Sequence, residues 1–170
     1  PDVQVTTVSN AVVHEEVEPL PHCQSGHVLG LLEFLEAQGG QADLFQVASH
    51  THVPFERVLP IVKAAEMLDL VDTPKRQVLL TPLGRTFVNA DNDQRKDLWR
   101  DRLLDLKLFR VVKELMEHHE GALPKEDLMR EISTRLPMEN AEETFDTLIN
   151  WGRFGELLAY REEQETVTFE

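Results

Sequence analysis

The sequence predicts a mainly α-helical fold with small β-hairpins, an α+β protein made of tandem winged-helix (helix-turn-helix) units. Three observations carry that prediction. Apolar residues recur with the 3.6-residue period of an amphipathic helix over most of the chain. Each set of three such helices is followed by two short strand-like segments around a polar tip. The whole order occurs twice, with matching elements at Val28 and Leu108, Asp43 and Lys125, Pro54 and Met138, and Leu70 and Leu157, an offset of about 80 to 90 residues.

The elements follow in order. Residues 1–24 are β-branched, acidic and interrupted by proline (Glu15-Glu16, Glu18-Pro19-Leu20-Pro21), with no periodic apolar face, and read as a linker. Val28, Leu31, Leu32 and Leu35 make the stripe of a first helix that Gly39-Gly40 stops. Leu44, Val47 and Ala48 share a face of a second helix over Asp43 to His50. Pro54 opens a third through Val58, Ile61, Val62, Ala65 and Leu68. Leu70-Val71 and Val78-Leu79-Leu80 are strands around the tip Asp72 to Gln77. Thr81-Pro82 supplies an N-cap hydroxyl and a proline at the first helical position, so a helix runs from Pro82 toward Asn89 and closes a unit over residues 25–90.

Residues 91–170 form a connecting helix and the second unit. The polar stretch Asn89 to Asp93 caps the connecting helix, whose buried side carries Leu98, Trp99, Leu103 and Leu106. Leu108, Val111, Val112, Leu115 and Met116 then form a stripe ended by Gly121; Pro124 opens a helix through Leu128 and Ile132. Pro137 starts a third helix that turns Ala141, Phe145, Leu148 and Ile149 inward, before strands at Leu157 to Tyr160 and Thr166 to Phe169.

Composition narrows function. With 41% apolar residues among 170, the chain has enough for a core. Its formal charge of −14 opposes nucleic acid, whose binding rests on Lys and Arg displacing condensed counterions. Neither half hides a basic domain: residues 1–90 hold five basic against eleven acidic residues, residues 91–170 twelve against twenty. Cys23 is the single cysteine, which precludes an intramolecular disulfide and fits a reducing cytosol. No apolar run approaches the roughly 20 residues that span a bilayer, so direct membrane insertion is not expected. The start, Pro1-Asp2-Val3-Gln4, is neither an initiator Met nor a signal-peptide n-region, and the chain reads as a fragment.

A winged helix that reads DNA puts its third helix in the major groove and its hairpin tip along phosphates. In the first unit that surface offers Arg57, Lys63, Lys75 and Arg76 against Glu56, Glu66 and Asp72, and is nearly neutral. In the second it carries Glu139, Glu142, Glu143, Asp146, Glu162, Glu163 and Glu165, which repel phosphate. DNA binding through Arg57, Lys63, Lys75 and Arg76 is therefore the alternative reading, and a solvated hairpin tip the favoured one for Lys75-Arg76.

No metal or cofactor is expected. His22, Cys23 and His27 lack a second ligand pair, His118-His119 cannot both face one metal from a helix, and Glu114 with His118 lacks the second His of a zincin pattern. Neither a P-loop nor a G-x-G-x-x-G occurs, and no nucleophile elbow, so catalysis is not expected. Core packing is the default for Trp151. An exposed Trp151 or Arg153, with Phe154 beside them, would make a protein-docking surface, Trp, Arg and Phe being residue types enriched in interface hot spots.

Several segments carry a resemblance: Pro19-Leu20-Pro21, Gly30-Leu31-Leu32-Glu33, Gly39-Gly40-Gln41-Ala42-Asp43-Leu44, Leu80-Thr81-Pro82-Leu83-Gly84-Arg85, Ala90-Asp91 with Gln94-Arg95-Lys96, and Asn150-Trp151-Gly152-Arg153-Phe154-Gly155-Glu156-Leu157. In that order, over roughly residues 19–170, they resemble the AAA-associated C-terminal domain of ATP-binding subunits of bacterial nitrate/sulfonate/bicarbonate-type ABC transporters. They depart from it at Phe154-Gly155, where Tyr-Ala is expected, and over Leu123 to Pro137, which matches only loosely. The resemblance implies a non-catalytic regulatory or docking domain of a longer ABC ATPase, with ATP and Mg held only in a preceding ATPase part. Its implied partners are that ATPase domain and the transporter subunits, with a homodimer as a further one. The implied location is cytoplasmic, peripheral at the inner face of the plasma membrane. Such proteins have also been labelled transcriptional regulators.

Overall fold

A computed structural model describes residues 16–170; residues 1–15 of the expected linker lie outside the described residues. The first unit runs α1 (Ser25–Ala37), β1 (Gln41–Asp43), α2 (Leu44–Thr51), α3 (Phe55–Met67), β2 (Val71–Asp72) and β3 (Gln77–Leu80), and closes with α4 (Pro82–Asn89). After α5 (Asn92–Leu104), the second runs α6 (Lys107–His118), β4 (Ala122–Pro124), α7 (Lys125–Arg135), α8 (Ala141–Phe154), β5 (Leu158–Arg161) and β6 (Thr166–Phe169). The fold is α+β, mostly helical with two small antiparallel sheets ordered β1-β3-β2 and β4-β6-β5.

Helix α1 buries Val28, Leu31, Leu32 and Leu35, the i, i+3, i+4, i+7 set. Fully removing four such side chains from water contributes roughly 6–12 kcal/mol before entropy is subtracted. The helix ends where Gly39 and Gly40 take φ of 87° and 101°, so that the Gly40 amide reaches back to the Leu35 carbonyl at 2.7 Å. The second unit repeats the device: Gly121, at φ 85°, donates to the Met116 carbonyl at 2.7 Å.

Strands β1 and β4 add what the sequence analysis lacks. Each is three residues long, directly precedes a helix, and pairs with the last hairpin strand: Ala42 opposite Val78, Leu123 opposite Val167. So short a segment shows no alternation to read. Helix α4 begins as expected, the Thr81 hydroxyl accepting from the Gly84 amide at 2.9 Å and donating to the Asp69 carbonyl at 2.7 Å. Pro137 does not open a helix. It sits in a turn, and α8 starts at Ala141 because the Asn140 side chain accepts from the Glu143 amide at 3.0 Å, a stronger start than a proline alone.

The two units share one continuous apolar core rather than two separate ones. Phe87 of α4, Trp99 of α5, and Phe109 and Trp151 of α6 and α8 join them, with ring centroids 6.2 Å (Phe87–Trp99), 6.1 Å (Trp99–Trp151) and 6.5 Å (Phe109–Trp151) apart. Residues 16–24 are irregular, yet they are no free tether. Leu20 is buried beside Met67 and Leu108, one from each unit. No helix among the described residues is long and apolar enough to cross a membrane.

Candidate functional site

The first unit turns aromatic side chains outward. Asp43 caps α2, accepting from the Phe45 amide at 2.8 Å while Gln46 reaches back to the Asp43 amide at 2.9 Å, and this capping box fixes the first turn. Phe45 then lies off the Leu44–Val47–Ala48 stripe and is 56% exposed. Phe55, the first residue of α3, is 39% exposed, and Leu59, one turn on and beside the buried Val58, is 41% exposed. The Phe45 and Phe55 rings stack at 5.5 Å between centroids, 20° from parallel. Arg76 completes the cluster, its guanidinium 5.9 Å from the Phe45 centroid. It reaches there from a tight hairpin tip in which Lys75 and Arg76 both hold positive φ, 47° and 69°.

The four cations proposed as DNA contacts do not gather on one face. Lys63 and Arg76 line a groove of about 290 Å³ with Leu44, Leu59 and Glu66, and Lys75 is exposed at the tip. Arg57 faces a different cleft, of about 440 Å³, between α3 and the acidic side chains Glu143 and Asp146 of α8. Phosphate entering beside Arg57 would meet those carboxylates.

The docking reading is corrected at Trp151, which is buried, while Arg153 stays exposed. Trp151 is fully buried; its indole donates to the Cys23 carbonyl at 2.9 Å, and the Trp99 indole donates to the Trp151 carbonyl at 2.9 Å. Phe154 is half-buried and meets Trp99 edge-on at 5.0 Å. Arg153 is exposed, but its guanidinium is engaged with the Tyr160 carbonyl at 2.9 Å, tying α8 to β5. Glycine suits the close packing here: a Cβ on Gly155 would lie 3.0 Å from the Trp99 ring and 3.2 Å from the Arg100 backbone, so both would have to give way slightly. Trp151 and Phe154, packed on Trp99, form part of the joint between the units.

His22, Cys23 and His27 line the 440 Å³ cleft. His22 bonds to the Thr147 hydroxyl at 3.3 Å and lies 3.5 Å from Glu143 and 3.9 Å from Glu139; His27 accepts from the Gln24 amide at 3.4 Å. Burial pushes the Cys23 thiol up to about 12, so near neutral pH it is a protonated apolar group, a poor nucleophile and a poor metal ligand. His118 turns a ring nitrogen to the Glu114 backbone carbonyl at 2.8 Å, and His119 pairs with Asp127 at 3.3 Å. No group of three or more His, Cys, Asp or Glu side chains placed to hold a metal occurs among the described residues.

Phe45, Phe55 and Leu59 were missed by the sequence analysis, which followed inward stripes. Large apolar residues out of phase with a stripe, or in its first turn, are the signal that would have found them.

A family model described as C-terminal AAA-associated domain matches residues 45–161, about two thirds of the chain, beginning at the first of the exposed aromatics. No curated protein matches, and no solved structure does.

Proposed function

We propose, from the premise that this chain belongs to the C-terminal AAA-associated domain family, that it is a non-catalytic regulatory or docking domain of an ABC transporter ATP-binding subunit, acting through protein–protein contacts. The finer assignment, to nitrate/sulfonate/bicarbonate-type import at the cytoplasmic face of the plasma membrane, follows the resemblance of the quoted segments. On this reading each unit is a winged helix used for protein contact. ATP and Mg belong to the ATPase part of the parent chain, since the 170 residues contain no P-loop.

The observation that carries the reading is the stacked Phe45–Phe55 pair, open to solvent inside the family-matched segment. Soluble proteins rarely leave clustered aromatics uncovered unless something else covers them. Regulation then requires that the domain contact two states of the ATPase unequally. The test is deletion of residues 25–170 from the full-length protein, followed by ATPase, transport and assembly measurements. At least one should change; if all three match the intact protein, the reading is wrong.

The alternative, a DNA-binding regulator, draws support from the exposed Lys75 and Arg76 at the hairpin tip. It predicts binding that falls steeply between low and moderate salt. Absence of binding at low salt would remove it.

A further inference from the structure

Among the described residues, five large apolar side chains are exposed, and three of them, Phe45, Phe55 and Leu59, fall in one patch. Phe55 and Leu59 are one helical turn apart on α3, and Phe45 stacks on Phe55. The surroundings of this patch are unlike the rest of a chain of charge −14. Lys63, Lys75 and Arg76 stand against Glu56, Glu66 and Asp72, three cations to three anions, Arg57 facing the separate cleft beside Glu143 and Asp146. Two copies of the chain repel each other over most of their surface, and less where the charges come closer to balance.

The charges are also ordered across the patch. Arg76 sits on the Phe45 side. Glu56 follows Phe55 and lines the groove beside His22, on the other side. Leu59 lines both the Arg76 groove and the Glu56 groove, as do Lys63 and Glu66, which offset each other, while Glu18 and Glu139 add to the acidic end. A two-fold axis lying in the contact plane, across the line from Arg76 to Glu56, sets Arg76 of one copy beside Glu56 of the second, and the reverse, with the rings between them. A patch with a basic end, an apolar middle and an acidic end is complementary to itself turned over.

We propose that the occupant of this face is a second copy of the same chain, in a two-fold contact centred on Phe45 and Phe55. Such a contact uses the same patch on both copies, so it stops at two, whereas basic tip against the acidic second unit would propagate. Three apolar side chains a side are well short of the ~800 Å² per partner of a standard interface, so the isolated domains associate weakly. Tethering raises the effective concentration to the order of millimolar, enough to close such a contact. The role in pairing ATP-binding subunits rests on the proposed function; the contact itself does not.

Sedimentation equilibrium of the 170-residue chain up to about 1 mM, the tethered range, tests it. The expected result is a mean mass rising with concentration from 19.5 kDa toward twice that value. Phe45→Ser and Phe55→Ser should each weaken association about tenfold, as hot-spot truncations do. Both side chains are exposed, so the variants fold, which far-UV circular dichroism checks. Arg76→Glu and Glu56→Arg should each weaken the dimer, and the double variant should restore it. A 19.5 kDa species throughout, or a dimer indifferent to both Phe substitutions, overturns the proposal. A Phe-sensitive dimer that the double variant fails to restore overturns the two-fold pairing. None of these results depends on the deletion experiment, so either reading can fail alone.

Discussion

The two units share an element order and a sheet topology but differ in what their second and third helices show to solvent. In the first, α2 opens on Leu44-Phe45 and α3 on Phe55, and the aromatics are left open. In the second, α7 opens on Lys125, which pairs with Glu142 of α8 at 2.8 Å and lies 4.7 Å from the Phe145 centroid and 5.9 Å from that of Tyr160. The Glu142 carboxylate, through that hydrogen bond, holds the Lys125 ammonium above its usual range. One unit therefore satisfies this face with its own side chains and the other does not. The inward stripe determines the order of elements, and the outward positions are free for a different use in each copy.

Breaking the joint tests whether the contrast lies on one folded body. Trp151→Ala removes a fully buried indole and its bond to Cys23, and should cost about 3–5 kcal/mol. Urea unfolding followed by circular dichroism should remain a single transition at lower midpoint, because the core is shared. Two transitions, one near the wild-type midpoint, would mean that the units fold independently.

A second comparison sets one glycine from each unit against the other. A Cβ on Gly84 collides with the Leu70 carbonyl, part of the backbone, whereas one on Gly152 meets the Leu158 side chain at 2.5 Å. Backbone cannot give way as a side chain can, so Gly84→Ala should cost about 3 kcal/mol and Gly152→Ala about 2. Chemical denaturation measures both, and the reverse order would contradict the packing described.

The smallest effect is the sharpest for the outward faces. Lys125→Met removes the ion pair and the cation–π contacts and should cost about 1 kcal/mol. Phe45→Ser should change thermal stability in dilute solution by no more than about 0.5 kcal/mol. Equal losses for the two would mean that Phe45 is held by the fold as Lys125 is.

Much of this was legible in the residues, for physical reasons. The stripes of α1, α3 and α6 show because a buried helix face repeats every 3.6 residues, and Thr81-Pro82 marks α4 because cap and proline act locally. Trp151 follows Leu148 by three residues, so its burial was in phase, though its neighbours Trp99 and Phe109 are set by the tertiary fold. The strands β1 and β4 were not readable, since what makes them strands is a partner more than thirty residues away. Pro137 misled because a proline marks a turn as readily as a helix start. The aromatic face escaped because exposure is a property of what does not pack on a residue, and the sequence pattern reports only what does.

The segment from Leu20 to Ser25 has a mechanical consequence. Leu20 is buried and lines one cleft with Met67 and Leu108, the Cys23 carbonyl holds the Trp151 indole, and the Ser25 amide holds the Asn150 side chain at 2.7 Å. Tension applied at Glu16 would therefore be delivered to α8 and the indole joint before it could unwind α1. The segment is a tendon inserted at the joint rather than at one bone: force along it reaches the second unit through α8 and the first through Cys23 at the Pro60 carbonyl.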